Sequence, residues 1–157
     1  MRKPPNQPAI QRPGEGQRGE QGHLGYLLRQ AGTAFRQRME RALNTLEVTP
    51  PQFAVLTMLA AYPGVSNADI ARLSMLAPQT VTVIVANLER AGLVARRAHA
   101  VHGRIRHIDL TAVGVRLLKR CRGRVNTIED HIAAGLSRTQ EQIIRRWLVR
   151  LAVEGGA

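Results

Sequence analysis

The stretch that most constrains this chain runs from Ser66 to Leu110, SNADIARLSMLAPQTVTVIVANLERAGLVARRAHAVHGRIRHIDL. Ile70, Ala71 and Leu73 give a short helix an inner side, and Val81, Ile84, Val85 and Leu88 recur at three- and four-residue steps through a longer one. Pro78 fits the first turn of the second helix, and Gly92 fits the left-handed position just past its last. After Gly92 come Leu93, Val94, Ala95, Arg96 and Arg97, then a basic loop at His99 to Arg104, then Ile105, Ile108 and Leu110 alternating with Arg106, His107 and Asp109. Alternation of this kind predicts a hairpin. Helix, tight turn, longer helix and hairpin, in that order, predict a helix-turn-helix with a β-ribbon attached.

With that inner stripe buried, Gln79, Thr80, Thr82, Val83 and Asn87 face outward on the second helix. They are short enough to enter a groove. Gln79 and Asn87 can pair bidentately with adenine, and Val83 can pack on a thymine methyl. Ala77, before Pro78, offers no capping oxygen, so the first amides of this helix are open to a phosphate or to water. A ribbon beside such a helix can carry Arg104, and next Arg106, into a neighbouring minor groove. Arg96 and Arg97 are placed to meet phosphates or acidic neighbours.

Four pieces of this region carry a family resemblance: TPPQFAVL from Thr49, NADIARLSMLAPQTVT from Asn67, LERAGLV from Leu88, and HGRIRHIDLTAVG from His102. The segment from Thr49 to Gly114 resembles a MarR-family transcriptional regulator, and the wing arginine followed by LT-x-x-G is its most specific part. The resemblance implies a dimeric, sequence-specific DNA-binding regulator, a repressor of a palindromic promoter site, released by a small anionic or aromatic effector. The residues expected to contact DNA are Ser66, Pro78, Gln79, Thr80, Thr82, Val83, Asn87, Arg96, Arg104 and Arg106. The resemblance also implies that terminal helices of two subunits interlock, which would bury Phe35, Leu118, Trp147 and Leu151. Two departures bear on the operator: His102 and Gly103 precede Arg104 where the family often has an acidic residue, and Val83 stands where it often has an arginine.

The rest of the chain fits around this centre. Residues 1–22 are rich in Pro, Gly, Gln and Arg and predict a disordered basic arm. Leu24, Leu27, Leu28, Ala31, Phe35, Met39, Leu43 and Leu46 keep a helical step, and Thr49 to Gln52 read as a capping box opening the next helix. After the ribbon, Thr111 caps a helix through Leu118, Cys121 and Val125, and Ser137 with Gln140 starts a last one carrying Ile143, Trp147 and Leu151. The predicted fold is therefore mainly α with a small β-hairpin wing. Residues 49–110 form a winged helix-turn-helix DNA-binding domain, and residues 23–48 and 111–157 a helical dimerisation region.

Composition narrows the partners. With 23 Lys and Arg against 11 Asp and Glu, the formal net charge of +12 points to a polyanion, here double-stranded DNA. The single cysteine excludes an internal disulfide framework and fits a reducing, cytoplasmic, nucleoid-associated setting. Cys121 lies on an apolar stripe and reads as an inert core thiol, with a redox sensor as the alternative. His99, His102 and His107 match no standard metal spacing, and no catalytic set or phosphate-cradling loop is visible, so no metal, cofactor or enzymatic activity is expected. No run is long and apolar enough to cross a bilayer, so no membrane is expected either. A sequence-independent architectural DNA-binding protein and a winged-helix protein-interaction module remain the rival readings.

Overall fold

The computed structural model describes residues 10–98 and 106–154. Contacts divide the chain into two compact units, Met1–Arg38 and Met39–Ala157. The first holds a 3-10 turn, Gly16–Arg18, and the start of helix α1, Leu24–Asn44. The turn rests on polar bonds: the Arg12 amide donates to Glu15 Oε2 at 2.9 Å and the Gln17 amide to Gln11 Oε1 at 3.0 Å. Gln30 Nε2 then donates to the Arg18 carbonyl at 3.1 Å. The described part of the predicted arm is thus held by side-chain-to-backbone bonds and by backbone bonds such as that from the Gly14 amide to the Arg18 carbonyl at 3.0 Å, none of which leaves an apolar signature in a sequence.

The second unit starts in the last turns of α1 and continues through α2 (Pro50–Ala61), α3 (Asn67–Ser74), α4 (Pro78–Arg90), β1 (Val94–Ala98), β2 (Arg106–Leu110), α5 (Ala112–Ala133) and α6 (Arg138–Glu154). Its helix starts follow the predicted caps. Thr49 and Gln52 form a reciprocal box on α2, Ser66 and Asp69 another on α3, and Thr111 accepts from the Gly114 amide on α5. Ser137 and Gln140 bond reciprocally ahead of α6, at 2.8 and 3.3 Å.

Two apolar clusters fill this unit. One joins Val55, Leu56 and Leu59 of α2, Ile70 and Ala71 of α3, Val81, Ile84, Val85 and Leu88 of α4, Val94 and Ile108 of the hairpin, and Leu118 of α5. The other joins Met39, Leu43, Val48, Cys121 and Val125. Phe53 packs against both. Helix α5 serves both clusters because Leu118 and Cys121 lie nearly one turn apart on one face.

The hairpin is antiparallel with Val94 opposite Leu110 and Arg96 opposite Ile108. A further bridge pairs Val65, ahead of α3, with Ile108, whose amide donates to the Val65 carbonyl at 3.3 Å. His107 Nδ1 also bonds the Gly64 carbonyl. Two glycines shape the approach to and exit from the hairpin. Gly92, at φ 69°, turns the chain out of α4 in the left-handed region that glycine enters freely. Gly114 is buried, and a Cβ there would lie 2.0 Å from the Leu93 carbonyl oxygen.

Candidate nucleic-acid interface

Helix α3 opens on a closed polar circuit. The Ser66 hydroxyl donates to Asp69 Oδ2 at 2.7 Å and accepts from the Asp69 amide at 3.3 Å, while Asp69 Oδ1 pairs with Arg72. These bonds, the Ser66 hydroxyl first and Arg72 next, hold the Asp69 carboxyl below its usual range. Ser66, expected to contact DNA, has its hydroxyl committed to capping, and its place beside a phosphate would depend on its backbone. The helix ends at Met75, in the left-handed region at φ 55° and ψ 36°, whose amide caps the Ala71 and Arg72 carbonyls.

Helix α4 presents two distinct sides. Val81, Ile84, Val85 and Leu88 are buried, whereas Gln79, Thr80, Thr82, Val83 and Asn87 are all exposed, Val83 at 60%. The outward set predicted from sequence is therefore brought together on one surface. Pro78 occupies the first turn, and Ala77 gives no side-chain cap. Thr82 Oγ1 donates to the Pro78 carbonyl at 3.0 Å, so its hydroxyl proton is committed within the helix while the residue stays exposed. Asn87 Oδ1 accepts from Arg90 Nη1 at 3.0 Å, so bidentate pairing with adenine requires Arg90 to let go. No such bond restrains Gln79 among the described residues.

The hairpin arginines have acidic partners. Arg96 Nε lies 3.0 Å from Glu89 Oε2, an ion pair that ties β1 to the end of α4. Arg97 Nε donates to Asp109 Oδ2 at 2.6 Å across the ribbon. Arg96, with its side chain 29% exposed, is less available to a phosphate than Arg97 at 72%. Arg106 opens β2 opposite Ala98. Arg104, His99 and His102 lie outside the described residues. Sequence reasoning missed Arg72 and Met75. Their signals were Arg72 three residues after Asp69, and an apolar residue in the turn between two helices where glycine is the usual occupant.

Of the four side chains expected between subunits, Leu118 is buried in its own chain's winged core and has no surface left to offer. The apolar stripe of α5 gave it an inward face, and that face is already covered within the subunit. Phe35 and Leu151 are exposed and Trp147 is half-buried. Helix α6 buries no residue, and Ile143, Ile144, Leu148 and Leu151 share one exposed face. Cys121 is fully buried, and burial pushes its thiol pKa up, against a smaller opposing effect of Arg120. Among the described residues no group of three His, Cys, Asp or Glu could hold a metal ion, and no helix is long and apolar enough to cross a membrane.

A MarR family model matches residues 36–105, which takes in α2, α3, α4 and β1. The HTH-type transcriptional repressor Rv2887 of Mycobacterium tuberculosis is 38% identical over 128 residues, covering 82% of this chain and 92% of that protein. In three dimensions the chain is similar to the S. aureus MepR–DNA complex, with a TM-score of 0.78 and 25% identity over 84% of this chain and 98% of that one. It is similar also to Rv2887 in complex with salicylic acid, at a TM-score of 0.67 and 36% identity over the same shares of each chain. With a relative this alike along most of both sequences, and the same mainly helical fold with its two-stranded wing, the chain belongs to the MarR family of winged helix-turn-helix transcriptional regulators.

Proposed function

We propose that the chain acts as a homodimeric repressor that reads a palindromic promoter site and is released by a small anionic or aromatic effector. The observation that carries this reading is the exposed row Gln79, Thr80, Thr82, Val83 and Asn87 on a helix whose first amides lack a side-chain cap. Gln79 and Thr80 stand nearest the end that enters a major groove. Val83 meets a thymine methyl, Asn87 reads or brackets the far side, and Pro78 sets the entry angle. Arg104 and Arg106 extend into the minor groove beside it, and Arg97 exchanges Asp109 for a phosphate. Arg96 positions the ribbon through Glu89 more than it touches DNA. MepR in complex with DNA has this fold, which supports the assignment.

Residues 49–110 do the reading, and residues 23–48 with 111–157 make the dimer. Helix α6 supports the second part: 17 residues with none buried and an apolar face are not stable alone and need a covering surface. A second copy supplies it, with Phe35, Trp147 and Leu151 in the contact. Two reading heads about one helical turn apart then double the bases read, with half-sites roughly 10 base pairs apart. The salicylic acid bound by Rv2887 supports a small aromatic acid as effector. An effector of this kind acts by preferring one spacing of the heads. The protein works in the cytoplasm, on the nucleoid.

Selection of bound genomic fragments by the purified protein, followed by sequencing, tests the reading. One enriched palindrome is the expected result. Equal recovery of all fragments would assign a sequence-independent architectural role, and no recovery a protein-interaction module.

A further inference from the structure

We propose that Met75 is a specificity-determining contact to DNA, a role that rests on the DNA-reading function proposed above. Met75 is the junction between α3 and α4, and two features of it conflict with a role in folding. Its φ of 55° is in the left-handed region, where every side chain but glycine meets a steric penalty and Asn or Asp are the tolerated exceptions. Its side chain is 91% exposed, so no packing compensates that penalty, and an apolar thioether is held in water. The backbone work at this position, capping Ala71 and Arg72, is done by the amide and would be done as well by glycine.

Glu47 is the other described residue, glycine aside, with a positive φ, at 54°, and it makes the contrast clear. A glutamate in a surface turn is at ease in solvent. A methionine is not, and strain retained without a folding benefit marks a position whose side chain serves something outside the subunit.

Place and chemistry identify that something. Met75 precedes Pro78 by three residues, so it sits at the end of α4 that leads into a major groove. The outward row on α4 begins at Gln79 and includes one exposed apolar side chain, Val83. Met75 adds a second apolar probe at the entering end. Its unbranched, polarisable chain can follow a thymine methyl or a deoxyribose face without a fixed rotamer. Contact of this type reads shape and methyl groups and neutralises no phosphate.

Met75→Gly, Met75→Asn and Met75→Leu test this on the full-length protein, by thermal unfolding and by titration of the selected operator and a scrambled duplex across salt. Gly and Asn relieve the left-handed penalty and should raise Tm by on the order of 2 °C. The same two variants should bind operator about tenfold more weakly, with scrambled-duplex affinity and salt slope unchanged. Met75→Leu should keep wild-type affinity and wild-type Tm. Operator affinity unchanged in Gly and Asn overturns the proposal, and so does a fall in Tm and affinity together, which would make Met75 a folding residue. Failure of the wild type to prefer operator over scrambled duplex is a different result, and it overturns the function proposed above.

Discussion

Asp69 has two duties, closing the start of α3 with Ser66 and holding Arg72. Both favour its charged form, so the folded chain holds this proton less tightly than the unfolded chain does. The contribution is full at neutral pH, above the unfolded carboxyl range at about pH 4. It fades as pH falls through the lowered folded value. Urea midpoints should therefore drop less between neutral and acid pH in Asp69→Asn than in the wild type, and equal drops would remove Asp69 from the acid response. Ala77 shows the opposite choice, a helix start left without a cap where Ser, Thr or Asp would stabilise it by about 1 kcal/mol.

At the level of elements, the junction of hairpin and α5 is the tightest point described. The Thr111 hydroxyl donates to the Gly92 carbonyl at 2.7 Å, the Thr111 amide to the Leu93 carbonyl at 3.0 Å, and Gly114 presses its backbone against Leu93. Gly114→Ala would place carbon within 2.0 Å of a carbonyl oxygen, and neither backbone can yield cheaply. The expected cost is about 1–3 kcal/mol, read as a lower urea midpoint, with Gly123→Ala, which meets open space in the middle of α5 and should gain about 1 kcal/mol of helix stability, as the contrasting control. The helix starts were legible in sequence because a cap is a conversation between residues three apart. The same holds for the outward row on α4, which follows from a periodic stripe. Acidic neighbours for Arg96 and Arg97 were among the sequence expectations, but which ones, Glu89 and Asp109, was not legible, nor was Leu118 turned into the winged core, because these depend on distant partners. Periodicity says that a residue faces inward but not which neighbour covers it. The left-handed turn at Met75 escaped notice because glycine, its usual marker, is missing.

For the molecule as a whole, the unresolved debt is the apolar surface of α6. A glutamate at Leu148, in the middle of that exposed face, should leave the winged core intact, because α6 contributes nothing to either apolar cluster. On the proposed function it should turn a dimer into a monomer in sedimentation and weaken operator binding by orders of magnitude, since each head alone reads too few bases. A Leu148→Glu protein that stays dimeric would move the subunit interface elsewhere.

The stitch between Val65 and Ile108, with His107 on Gly64, has a mechanical consequence. It ties the ribbon to the loop ahead of α3, and Arg96 on Glu89 ties it to the end of α4, so in the proposed mechanism flap and reading rod travel together. The proposed effector then has no cheap way to retract the flap while leaving the rod in its groove. In the proposed dimer its whole leverage is the stride between two rigid feet, and a ligand that does not alter that stride leaves the promoter silenced.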